Sequence, residues 1–197
     1  NQTFAISYPE KRTFFLEGSE LLKSDTQTVY TRSITNPLGA IKYINQGKNN
    51  TVYLLQATDT DSPYLAAGQY RSFRGNAGKS KVTIGRFKRN LGNKSHMGLL
   101  ATNRDYQIGG SGSVVEFDSL INFLDDYTLD LNYAKSNTQE GQIDFIGSND
   151  TFAGRSYAMD GESFSGIAKN FRLRRAVNGS NWGIRFKDVS PTYRAHV

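Results

Sequence analysis

The chain has no cysteine, four prolines, two methionines, two histidines and one tryptophan in 197 residues. Without cysteine there is no disulfide staple, no thiolate metal site and no cysteine nucleophile. No apolar run approaches the ~20 residues that a membrane helix needs, so helical spanning is excluded, and no signal peptide opens the sequence. Helical periodicity is nearly absent: the best candidate, Glu17 to Lys23, is shorter than a helix that is stable alone. The histidines, His96 and His196, lie far apart with no ligand-spaced partner, which argues against a metal site or a catalytic triad. GGSGS at 109–113 lacks the lysine a phosphate loop requires. No cofactor and no metal are expected.

What remains is polar on average but rich in rings. Hydrophobic residues are 37% and aromatics 12%, the profile of a β protein whose strands keep one wet face. The net charge of +6 allows an anionic partner. Yet the basic residues fall in short groups inside strand-like segments, Arg86, Lys88 and Arg89, then Arg172, Arg174 and Arg175. No basic block marks a nucleic-acid surface, and no nucleic-acid partner is expected.

Alternation at period two recurs along the chain, punctuated by Gly, Asn and Asp. In SVVEFDSLINFL (113–124) Val115, Phe117, Ile121 and Phe123 share one face, while Glu116, Asp118 and Asn122 share the other. YTLDLNYAKS (127–136) alternates in the same way, and Asp125-Asp126 between them reads as a tight turn. Three further hairpins are expected, 39–45 with 51–58, 79–90 with 95–104, and 161–175 with 181–190. The turns within hairpins are short, whereas 59–78 and 137–160 are long, polar connections. Only 105–112 joins two hairpins briefly.

Eight strands with short turns at one end and long loops at the other fit an outer-membrane barrel. A soluble sandwich also alternates. Strands of about ten residues and charges of both signs in mid-strand favour the membrane barrel. The expected fold is therefore all-β, an antiparallel transmembrane β-barrel with its strands after residue 38.

One stretch is more specific. YPEKRTFFLEG, with Pro9, Glu10, Lys11, Arg12, Phe14, Phe15, Leu16, Glu17 and Gly18, resembles the start of the barrel in a large family of Bacteroidota outer-membrane proteins. In that family a domain of unknown function follows a module similar to family-nine carbohydrate-binding domains. Tyr30-Thr31-Arg32, then Gly39, Ala40 and Lys42, continue the likeness, and GRFKRNLGNKSHMGLLATNRD resembles one of the family's hairpins. Thr13 stands where the family has proline, and Ile41 interrupts its Gly-Ala-Lys step. DVSPTYRAHV is similar to a strand ending that, in the family, runs on into further barrel. The resemblance implies a fragment of a larger protein in the bacterial outer membrane, an entry segment at 1–38 before a partial barrel at 39–197. It also implies lipid as a neighbour, with glycans or other outer-membrane proteins as partners. Glycan or nutrient capture or passage is the function it suggests. The alternatives are a structural or assembly role in a larger outer-membrane complex and a soluble sandwich that binds carbohydrate.

The charge cluster Glu10, Lys11, Arg12 and Glu17 is expected at the barrel's inner mouth, where arginine–carboxylate pairs hold an entry segment against the wall. The plainer reading is a solvated linker anchored by Phe14 and Phe15. Glu116, Asp118, Asp130 and Asn132 are expected to face a wet interior, balanced by Arg172, Arg185 and Lys187. Paired carboxylates can do acid–base work, but no nucleophile, base and orienting group can be assembled here, and no enzyme activity is expected. Tyr127, Tyr133 and Trp182 are candidates for interfacial aromatic girdles, with Tyr8 and Tyr30 beside them. The alternative stacks a sugar ring on Trp182 and Tyr193.

Overall fold

Alternating β-branched and aromatic positions place most of the chain in strands. The computed structural model describes residues 9–67, 72–143, 151–156 and 158–197, with backbone alone at 65–67, 72–74, 143 and 152. Eight antiparallel strands form one meander: β1 (Pro37–Gln46), β2 (Asn50–Asp59), β3 (Ser80–Gly92), β4 (Ser95–Tyr106), β5 (Ser111–Phe123), β6 (Tyr127–Gln139), β7 (Ser163–Val177) and β8 (Ser180–Val189). Each pairs with its neighbours in chain order. β1 and β8 are not bonded to each other, so the chain is all-β with an open sheet, not a barrel closed by these eight strands.

The four expected hairpins form, with turns as short as the sequence suggests. Asn93 and Lys94 both adopt positive φ (44° and 56°), the left-handed pair that matches the twist of two-residue hairpins. Between β5 and β6 the turn takes in Leu124 as well as the two aspartates, because Phe123 pairs with Tyr127. The long connections are not plain loops. Pro63–Ala67 pairs with Ser72–Asn76, Gln142–Ile143 with Met159–Asp160, and Thr151–Phe152 with Arg155–Ser156.

Register decides which side chains share a face. On one face Leu99 pairs with Phe117 and Phe117 with Tyr133, while Phe171 pairs with Phe186 and Leu173 with Ile184. The opposite face holds Tyr53, Ile84, Arg104, Glu116, Asn132 and Asn170, all buried. Two segments cover it. Residues 9–36 cross the β2–β4 side, where Phe15, Leu22 and Ile34 pack with Tyr53, Leu55, Ala57, Val82, Ile84 and Leu100. Residues 190–197 follow the end of β8. They fold back, placing Val197 in that same cluster and Tyr193 against Val114, Ala134 and Ala168. Burying Phe15 alone contributes about 2 kcal/mol.

As the short candidate at 17–23 suggests, no continuous helix forms there. Thr13–Leu16 forms one α turn and Ser19–Leu22 one 3-10 turn. Gly18 between them sits at φ +76°, and a Cβ there would press on Ile44 and on the Tyr53 ring. Glycine is thus required by both backbone and space. The kink turns Phe15 and Leu22 into one core.

Candidate functional site

The covered face carries a polar network that ties four parts of the chain together. Arg104 and Asp59 are both fully buried and lie 3.0 Å apart. Arg104 also donates to the Ser80 hydroxyl (3.0 Å), the Ser33 carbonyl (2.9 Å) and the His196 carbonyl (3.0 Å). Asp59 accepts from the backbone N–H of Thr35 (3.1 Å) and Asn36 (2.7 Å). One guanidinium therefore joins β2, β3, the entry segment and the tail. Its fork geometry provides the separate donors that such a junction needs.

Glu116 is fully buried, and among the described residues it makes no ion pair. Its Oε2 accepts from Thr26 (2.7 Å), Ser24 (3.2 Å) and Thr28, and its Oε1 from the Asn132 amide. Three hydroxyls at alternate positions of the entry segment thus stand where a counter-charge was expected. Asp118 pairs with Arg86 on β3 and Asp130 with Arg172 on β7. Arg185 reaches Asp25 at 3.4 Å and Asn170 at 3.0 Å. Lys187, opposite Asn170 in register, makes none of these ion pairs. The seven interior candidates do share one face, but Glu116 and Asn132 lie under the entry segment and do not line an open channel. The carboxylates in this network are all engaged by donors of the chain itself.

The entry cluster divides in two. Glu10 pairs with Arg12 at 2.8 Å, and Arg12 also donates to the carbonyls of Thr31 (3.0 Å) and Ile34, so this pair braces the segment on itself. Burial works to raise the Glu10 carboxyl. Hydrogen bonds from the Arg12 side chain and backbone and the Thr31 hydroxyl outweigh it, holding the pKa at about 2. Glu17 instead reaches the wall: Lys42 on β1 lies 2.8 Å from its carboxylate and also donates to the Phe14 and Glu17 carbonyls. Lys11 is exposed, with only its backbone N–H on Glu10.

The tail is seated on glycines. A Cβ at Gly112 would overlap the His196 ring, and one at Gly166 would overlap the Tyr193 backbone. His196 is partly buried, its Nε2 3.0 Å from the Thr138 hydroxyl and its Nδ1 3.4 Å from that of Tyr106. Burial, with Arg194 and Arg104 adding to it, drives the imidazole down to about 3. Tyr193 contacts the Thr28 hydroxyl at 3.1 Å, closing the entry segment and tail on each other.

On the opposite face Tyr127 stacks on Phe123 (5.4 Å) and meets Trp182 edge-on (6.2 Å), while Tyr133 is exposed six residues further up β6. Trp182 and Tyr193 lie on opposite faces and cannot clasp one sugar between them. Tyr30 belongs to the covering segment, its N–H bonded to the Val197 carbonyl, so it is not a girdle residue. Tyr8 lies outside the described residues.

Sequence reasoning missed Arg104, Asp59, the Ser24-Thr26-Thr28 row and the glycine seats. Glycines at 98, 112 and 166, each on the covered face, were the signal. It also missed a carboxylate group beyond the ends of β6 and β7, formed by Glu140, Asp160 and Glu162. Burial, together with the charges of Glu162 and Asp160, pushes Glu140 up to about 7.

Compared with protein-family models, curated proteins and solved structures, the chain finds no match. The resemblance at PEKRTFFLEG thus stands on its motif residues. Among the described residues no helix is long and apolar enough to cross a membrane.

Proposed function

We propose that this chain forms a sector of an outer-membrane β-barrel wall whose inner side is sealed by residues 9–36 and 190–197. The observation that carries the reading is the inverted distribution of polarity. The bare face exposes Leu54, Phe87, Leu99, Val115, Phe117, Phe171, Ile184 and Phe186, between 37% and 60% accessible. The covered face buries Asp59, Arg104 and Glu116 at 0%. On β5 the outward run from Val115 to Phe123 is about 27 Å long. At the ~40° tilt of membrane barrels it stands about 21 Å high, near the ~25 Å apolar band of such proteins. The ring cluster Phe123, Tyr127 and Trp182 marks the short-turn end of that band, where an aromatic girdle belongs.

The soluble sandwich has less support. A sandwich hides its apolar face beneath a second sheet, and among the described residues nothing of that kind covers the bare face. Strands β1 and β8 offer free ladder edges, so closing the barrel calls for strands beyond these eight. Of the two membrane roles, the sealed inner face favours a structural wall over an open passage. Glycan or nutrient transit would require lifting the Glu116 and Arg104 networks off the sheet.

Fractionating cells that express the protein in its full reading frame tests the reading. It should sediment with the outer membrane, require detergent for extraction and give no steady conductance in planar bilayers. Recovery as a folded protein in aqueous buffer without detergent would overturn the membrane reading, and stable open-pore currents would overturn the sealed interior.

A further inference from the structure

Beyond β6 the chain leaves the main sheet and returns through the short Gln142–Ile143 and Met159–Asp160 pair before entering β7. The Glu140 N–H donates to the Glu162 carbonyl at 2.9 Å, and Asp160 pairs with Gln142 in register. Backbone pairing therefore forces three acidic side chains together at the end of the sheet opposite the short turns. One carboxylate oxygen from each of Glu140, Asp160 and Glu162 lies within 4.8 Å of the others.

Crowding alone does not make a site, because acidic groups often gather at solvent-facing ends. What sets this group apart is Glu140. It is 9% accessible, and its Oε2 is buried with no hydrogen-bond partner among the described residues. A buried carboxylate oxygen left without a donor is costly, and proteins avoid one unless something else satisfies it. The neighbours are partly engaged. Asp160 accepts from the Ser156 hydroxyl at 3.0 Å, and Glu162 lies 3.5 Å from Arg155. Arg155 is itself turned toward the Ser163 carbonyl (3.3 Å) and lies 4.3 Å from the Phe164 ring centre, and its ion pair is with Glu162, not Glu140.

We propose that Glu140, Asp160 and Glu162 hold a hard divalent cation, Ca²⁺ in preference to Mg²⁺. Ligand chemistry decides between the two. Mg²⁺ gives up its waters reluctantly and usually takes one or two carboxylates, whereas Ca²⁺ accepts several in flexible geometry. Three carboxylates within reach of one ion suit the more tolerant cation. Carboxylates from both sides of the return would then be bridged, pinning the extension of β6 to that of β7. The proposal does not depend on what lies against the bare face.

The test is calorimetric titration of the purified protein, stripped with EDTA, with CaCl₂ and separately MgCl₂, alongside thermal unfolding in each. One Ca²⁺ should bind with a Kd of about 0.1–1 mM, in the range of extracellular modules, and Mg²⁺ at least tenfold more weakly. Saturating Ca²⁺ should raise the unfolding midpoint by several degrees. Glu140→Gln and Asp160→Asn should each weaken Ca²⁺ at least tenfold. In EDTA Glu140→Gln should be as stable as the parent or more so, because one of three crowded charges is gone. No saturable binding, unchanged binding in the Glu140→Gln, Asp160→Asn double variant, or destabilisation by Glu140→Gln in EDTA would each overturn the assignment.

Discussion

Replacing Arg104 with methionine removes the one side chain that touches β2, β3, the entry segment and the tail together. The parent guanidinium makes four donor contacts of 2.9–3.0 Å, to Asp59, Ser80, Ser33 and His196. Methionine keeps much of the volume and none of the donors. Asp59, fully buried, would keep its two backbone N–H partners but lose its counter-charge. Removing one partner of a buried pair costs about 3–5 kcal/mol, most of it the stranded charge. Against a typical total stability of about 5–15 kcal/mol, that is a fifth or more of the fold. The assay is urea unfolding in detergent micelles followed by Trp182 fluorescence. Arg104→Met should fall about 3–5 kcal/mol below the parent, and adding Asp59→Asn should recover part of the loss, since the amide strands no charge and its one oxygen can still accept from Thr35 or Asn36. A loss under about 1 kcal/mol, or a double variant worse than the sum of the single ones, would refute the claim that this pair organises the covered face.

Two other outcomes follow from the tail. Gly112→Ala drives a Cβ into the His196 ring and should cost about 1–3 kcal/mol by overpacking. The companion His196→Ala should relieve most of that penalty, and equal penalties in both backgrounds would show that the ring does not sit there. The His196 imidazole is held near 3 in the fold but takes a proton near 6.5 when unfolded. The unfolded chain therefore binds more protons below pH 6.5, and stability falls as pH drops, by about 2 kcal/mol from 6.5 to 5. Glu140, raised to about 7, acts in the opposite direction over pH 7 to 4.5, so the comparison is between parent and His196→Phe. Their stability difference should change by about that amount across the window, and parallel pH profiles would contradict it.

How far the sequence could be read depended on the range of the interactions involved. The hairpins were legible because period-two alternation and adjacent turns are local, and Phe117 with Tyr133 or Phe171 with Phe186 follow from register alone. The covered face was legible only as a set of polar positions. Nothing local in TQT at 26–28 says that its hydroxyls will meet Glu116, about ninety residues away, or that Arg104 will choose Asp59. The expectation that Arg172, Arg185 and Lys187 balance the acids was right in kind for Asp130. It failed for Glu116, because a covering segment supplied neutral donors instead. The tail escaped notice because VSPTYRAHV has the rings and β-branched residues of a strand. Its inward turn depends on small residues at Gly112 and Gly166, on other strands.

The central claim is that the bare face meets lipid while the other is sealed. Trp182 is the only tryptophan of the chain and lies on the bare face. Its fluorescence in vesicles containing lipids brominated high on the acyl chain tests the claim most directly. The account predicts strong quenching by the brominated lipid and little by aqueous iodide. Ready quenching by iodide, with no response to brominated lipid in folded protein, would contradict it.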